Sequence, residues 1–125
     1  MAEVRFGPGE VVFQEGEPSR TVLLIEAGEV EVAKAAGAGE VLLGTIGPGE
    51  FVGEMGVIEG RPRSATVRAR GPVRGEMLER RLFLERVSRD PRLAFGALLR
   101  LSERLHAADE RLADAAARSP DETPA

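Results

Sequence analysis

The sequence predicts a mainly β chain that ends in helices: an antiparallel barrel or jelly roll over residues 1–79, then helices over 80–117. Three observations carry this. Short apolar runs of strand length recur between Gly/Pro turns as far as Glu79, as in all-antiparallel architectures. Beyond Glu79 the apolar spacing becomes helical. The chain has 125 residues, 42% of them hydrophobic, which suits one core and one domain.

The clearest strand runs are Val11 to Phe13, Val22 to Glu26, Val30 to Ala33, Val41 to Ile46, Ala65 to Arg70 and Val73 to Leu78. Phe6-Gly-Pro-Gly-Glu10 and Ile46-Gly-Pro-Gly-Glu50 are near-copies. They read either as two similar corners, each entering a strand, or as chance reuse of the default turn residues. Ala35 to Gly39 is small and featureless and reads as a hairpin loop. Glu54 to Glu59, bounded by Gly53 and Gly60, suits a single helical turn whose start points backbone N–H groups at an anion. Leu82, Phe83, Arg86 and Val87 fit one short helix.

Asp90-Pro91 has the form of an N-cap followed by Pro at the first helical position. It opens a longer helix to about Ala117. Along it Ala94, Leu98, Leu101, Leu105, Ala108, Leu112 and Ala115 alternate spacings of three and four, a heptad stripe. The stripe reads either as a homodimer seam over residues 91–117 or as a face docked on the chain's own barrel. Residues 118–125 are polar, contain two prolines and are expected to be disordered.

The chemistry concentrates between Gly47 and Ala69, where glycines, the Glu54 carboxylate and the Arg63 guanidinium sit between two strand-like runs. Glycines let backbone N–H groups approach a phosphate. The Arg63 guanidinium offers a planar fork to phosphate oxygens. Glu54 can accept hydrogen bonds from sugar hydroxyls. The plainer alternatives are a surface arginine in a loop, a glutamate that only complements a helix dipole, and a turn glycine at Gly53. Val52 and Val67 read as apolar walls.

Val52-Gly53-Glu54-Met55-Gly56-Val57 followed by Pro62-Arg63-Ser64-Ala65-Thr66 resembles the phosphate-binding cassette of the cyclic nucleotide-binding domain family. Gly16-Glu17-Pro18-Ser19 and the run Val22 to Val32 look like that family's early strands and their Gly-Glu turn. The likeness runs from about Phe6 into the C-terminal helix. It implies a β-jelly-roll (double-stranded β-helix) barrel with a short cassette helix and a long C-terminal lid helix. It also implies that Arg63 pairs with a cyclic phosphate and that Glu54 accepts the ribose 2′-hydroxyl. Gly53, Met55, Gly56 and Ala65 would line the phosphate and ribose with backbone. Ser64 would place a hydroxyl near a phosphate oxygen or the base, and serine here favours cAMP over cGMP. Where a relative presents base-contacting hydroxyls, this chain has Ala108 and Asp109, so Arg104 or Arg111 would meet the purine instead. A solvated helix face is the alternative for both arginines.

Composition narrows the classes. Cysteine is absent, which excludes disulfides, iron–sulfur clusters and thiolate zinc sites. His106 is the single histidine, too few for a cupin-type metal centre, and no nucleophile–base arrangement is evident. No cofactor, no metal and no enzymatic activity are expected. The net charge is −4, so no electrostatic pull toward DNA or an anionic membrane is expected. No apolar run reaches transmembrane length and no signal-peptide pattern opens the chain, so a cytoplasmic protein is expected. No helix-turn-helix follows the long helix. The chain therefore reads as a stand-alone binding domain or one cut from something larger, its start and tail favouring a complete small protein. The first functional expectation is a cAMP sensor that signals to a downstream protein by moving its C-terminal helices, with cGMP as the other ligand. The alternative is a nucleotide-independent jelly-roll interaction protein that dimerises through residues 91–117.

Overall fold

The computed structural model describes residues 2–99 together with 102, 103, 106, 109, 110 and 113. Among the described residues eight strands form two four-stranded antiparallel sheets. They are β1 (Ala2–Phe6), β2 (Val11–Phe13), β3 (Thr21–Ala27), β4 (Val30–Ala36), β5 (Gly39–Ile46), β6 (Phe51–Val52), β7 (Thr66–Ala69) and β8 (Val73–Glu79). The first sheet has the order β1-β8-β3-β6 and the second β2-β7-β4-β5, the interleaved order of an eight-stranded jelly roll. Helix α1 (Glu54–Glu59) interrupts the strands, and α2 (Arg80–Arg89) follows β8.

The two near-copies are true structural equivalents. In each, the glutamate side chain accepts the N–H of the glycine three residues back, Gly7 to Glu10 at 3.0 Å and Gly47 to Glu50 at 2.9 Å. The fourth residue of each, Gly9 or Gly49, has a positive φ, 79° and 84°. Each corner then docks on another strand: Gly9 N–H donates to Ala69 and Gly49 N–H to Ile25, both at 2.8 Å. Each carries the chain from one sheet to the other, from β1 to β2 and from β5 to β6. Pro8 and Pro48 have no N–H to donate, and the corner bonds are made by the glycine and glutamate that follow each of them. The expected jelly-roll barrel is present as two sheets that, among the described residues, do not close on one another. The two sheets face each other with open edges.

Two further expectations change. The loop at Ala35 to Gly39 is only a two-residue turn, because β4 runs to Ala36, β5 starts at Gly39 and the two pair there. Strands β1 and β6 lie outside the clearest sequence runs. β1 is mostly exposed, and β6 is two residues long and held by pairing with Leu23 and Leu24.

Alternation explains the core. Leu23, Ile25 and Val52 point between the sheets and join Phe13, Val30 and Val67. Val22 and Phe51, one residue out of phase, point to the outer face of the first sheet, where they meet Val57 of α1 and Phe83 of α2. Strand β3 is thus buried on both faces, which is why Val-Leu-Leu-Ile shows no alternation of polarity. The Phe51 and Phe83 rings meet edge to face at 4.9 Å. Asp90 caps the next helical segment as expected, its Oδ1 accepting Arg92 N–H at 3.1 Å, and residues 91–99 are helical. The rest of the expected long helix and stripe, with Leu101, Leu105, Ala108, Leu112 and Ala115, and the tail at 118–125, lie outside the described residues. No helix among the described residues is long and apolar enough to cross a membrane.

Because Phe83 is the aromatic anchor of α2 and 2% exposed, Phe83→Ala is expected to lower the unfolding free energy by about 3–5 kcal/mol. Urea denaturation measures it. A loss below about 1 kcal/mol would show that α2 is not held by this contact.

Candidate ligand-binding site

The link between β6 and β7 builds the site. After Val52 the chain turns through Gly53, whose φ of 84° lies in the left-handed region and places it as the N-cap of α1. Helix α1 starts with Glu54, which is 4% exposed, and is anchored by buried Val57. It ends at Gly60, whose N–H bonds the Gly56 carbonyl. The chain then returns along Arg61 to Ala65 into β7.

This return is pinned to the turn between β2 and β3. Arg63 N–H donates to the Glu17 carbonyl at 2.8 Å, and the Arg63 carbonyl accepts Gly16 N–H at 2.9 Å. Thr66 Oγ1 accepts Glu15 N–H at 3.1 Å and the Gln14 side-chain amide at 3.2 Å. On the far side, Lys34 Nζ donates to the Ser64 carbonyl at 3.0 Å. Gly56 lies so close to Ser19 that a Cβ there would collide with its hydroxyl.

The Arg63 side chain is the centre of the site. It is 7% exposed. Its Nη1 donates to the Gly53 carbonyl at 3.0 Å and its Nη2 to the Thr21 carbonyl at 2.7 Å, with Thr21 Oγ1 at 3.4 Å. The guanidinium carbon sits 3.6 Å from the centroid of the Phe13 ring. Among the described residues no carboxylate forms a salt bridge with it. Burial holds its pKa below the ordinary arginine value, with the Glu17 charge pulling the other way. Arginine stays protonated under such shifts, so a buried positive charge lines the cleft with no carboxylate salt bridge among the described residues.

One cleft brings together the seven cassette residues singled out from the sequence: Gly53, Glu54, Met55, Gly56, Arg63, Ser64 and Ala65. Val52 and Val67 line it as apolar walls. Ser64 is exposed and Ala65 buried. Arg104, Ala108 and Arg111, the expected base contacts, lie outside the described residues. Sequence reasoning missed Phe13, Ser19, Val32 and Ile46, which also line the cleft. Phe13 and Ser19 flank the Gly16-Glu17 turn, so proximity to that turn was an available signal. Val32 and Ile46 carried none, because only strand pairing brings them there. Ser19 Oγ is buried and has no hydrogen-bond partner among the described residues.

Comparison with known proteins accords with this geometry. The family described as "Cyclic nucleotide-binding domain" matches residues 3–90. The acetyltransferase Pat of Mycolicibacterium smegmatis is 40% identical over 76 residues, 61% of this chain and 23% of that protein. The catabolite activator protein of Thermus thermophilus superposes with a TM-score of 0.76 at 28% identity, over 89% of this chain and 53% of that one. The EAL enzyme Bd1971 in its cAMP-bound form superposes with a TM-score of 0.65 at 31% identity, over 89% of this chain and 30% of that one. Its cGMP-bound form superposes with a TM-score of 0.66 at 31% identity, over 90% and 30%. The chain thus spans only part of the length of each relative.

A Cβ at Gly53 would collide with Arg63 Nη1 and lie 2.9 Å from the Phe13 ring. Gly53→Ala is therefore expected to destabilise the fold by about 1–2 kcal/mol from the left-handed backbone alone, and by more through displacement of Arg63. Denaturation together with the Arg63 side-chain N–H resonance measures both; an unmoved resonance would contradict the packing described.

Proposed function

Because this chain belongs to the cyclic nucleotide-binding domain family, we propose that its cleft binds a cyclic nucleotide, cAMP ahead of cGMP, as a regulatory module rather than an enzyme. The observation that carries this reading is the buried Arg63 guanidinium, held by two carbonyls and a ring and paired with no carboxylate salt bridge among the described residues. A buried cation is costly unless compensated, and an anionic phosphate compensates it. Arg63 meets the cyclic phosphate and Glu54 accepts the ribose 2′-hydroxyl. Backbone around Gly53, Met55, Gly56 and Ala65 surrounds the sugar–phosphate ring. The Ser64 hydroxyl favours cAMP. Arg104 or Arg111, beside Ala108, meets the base. A neighbour bound to either cAMP or cGMP supports the ligand class and leaves the preference to measurement.

Output follows from the shared apolar cluster. Val57 of α1 and Phe83 of α2 pack in one group, so a cassette that tightens around a ligand alters the seat of the C-terminal helices. The ligand drives that movement only to the extent that it binds the closed form better. The module acts in the cytoplasm on a downstream protein, without DNA or membrane.

A second reading has its own support. Phe95, Leu98 and Leu99 in helical residues 91–99 are 65%, 63% and 49% exposed, an apolar face suited to a second copy or another protein. Sedimentation of wild type and Leu98→Arg tests it. A monomeric wild type would remove the homodimer.

Calorimetric titration of nucleotide-free protein with cAMP and then cGMP tests the first reading; tryptophan fluorescence cannot, because the chain has no Trp. Saturable binding is expected, tighter for cAMP. Arg63→Ala is expected to cost about 2–5 kcal/mol of binding, at least about thirtyfold in affinity. Glu54→Ala is expected to cost about 1.5–3 kcal/mol. Unchanged affinity in both folded variants would sink the cyclic nucleotide assignment.

A further inference from the structure

We propose that Phe13 is a positioning residue for anion recognition, its ring fixing the plane in which the Arg63 guanidinium meets the ligand. The inference rests on the cyclic nucleotide reading of the cleft.

Two hydrogen bonds hold the guanidinium at its two terminal nitrogens, Nη1 on Gly53 and Nη2 on Thr21. Two anchors define a line and leave the group free to tilt about it. The Phe13 face, 3.6 Å from the guanidinium carbon, removes that freedom. Both side chains are 7% exposed, and a cation over an aromatic face gains most where water is excluded. The cassette backbone closes the remaining side: at Gly53 there is no space for a Cβ against either Nη1 or the ring. Bidentate phosphate recognition depends on the orientation of the planar fork, so the ring sets a quantity that matters for binding.

Arg63 also has a competing partner. Phe13 and Arg63 line a second cleft together with Glu17, Gln14 and Thr21. The Glu17 charge already acts on the guanidinium, and its carboxylate is held locally by Gln14 N–H at 3.2 Å. With the ring removed, the guanidinium is free to tilt toward Glu17 and satisfy its charge there rather than on a ligand. Phe13 thereby reserves Arg63 for the cleft.

The experiment compares cAMP affinity of the full chain in wild type, Phe13→Leu, Glu17→Gln, and Phe13→Leu with Glu17→Gln. Phe13→Leu is expected to weaken binding by about 5- to 30-fold. The double variant is expected to recover most of that loss and to gain more than Glu17→Gln alone adds to wild-type affinity, an excess that a purely packing role for Phe13 would not produce. The Arg63 side-chain N–H resonance is expected to move in Phe13→Leu as the ring's shielding is lost. If Phe13→Leu does not fold, Phe13→Met takes its place. Wild-type affinity in the ring-less variant, or a loss that Glu17→Gln leaves in place, overturns the positioning role while the cyclic nucleotide reading stands. Absence of cAMP and cGMP binding by wild type overturns the reading and this inference with it.

Discussion

The buried charge of Arg63 is the constraint on which the site depends. A guanidinium at 7% exposure needs partners, and here they are backbone carbonyls and an aromatic face. That choice has consequences for the neighbours. Gly53 must lack a side chain, and Thr21 must lie at the start of β3 with its carbonyl turned toward the cassette. The turn at Gly16 and Glu17 must hold the Arg63 backbone by a reciprocal pair of hydrogen bonds. A carboxylate partner would satisfy the charge more simply, yet it would compete with any anionic ligand. Carbonyls and a ring stabilise the cation while leaving its net charge in place.

The scaffold makes this arrangement rigid by burying β3 on both faces. One face of β3 closes the space between the sheets, and the other receives α1 and α2. The cassette is therefore continuous with two packed layers. Val57 reaches the same cluster as Phe51 and Phe83, so the ligand side and the C-terminal side of the protein share apolar contacts over a few residues. Close packing transmits displacement because it has few voids to absorb it. The second sheet differs. Its edge strand β5 pairs in the ladder with β4 and exposes Val41, Leu42 and Leu43 at 51%, 59% and 58%. The Arg68–Glu40 pair, at 2.7 and 2.6 Å, ties this strand to β7. The structure is firm where the cassette sits and more loosely covered at β5.

Much of the fold was legible because it rests on local chemistry. The Gly-Pro-Gly-Glu corners declare themselves by composition, and both adopt the same capped geometry. Asp90 before Pro91 marks a helix start that the Asp90 side chain does cap. Gly53 and Gly60 bracket α1 as their spacing implies. The misses have physical reasons too. β1 is a mostly exposed strand, held largely by its pairing with β8. β6 is too short for any periodicity. Closure of the barrel could not be judged from strand runs, since it depends on which strands pair at the sheet edges.

The sequence by itself determined six of the eight strands, the corner and cap positions, and the residues of the cassette. These follow from backbone preferences and short-range spacing, which travel with the residues. Only the tertiary structure decided that Phe13, Ser19, Val32 and Ile46 join them in one cleft, and that Arg63 lies on a ring 50 positions earlier in the chain. Those juxtapositions come from antiparallel register between strands far apart in sequence. Register is set by the partner strand and the shared core rather than by the residues of either strand alone.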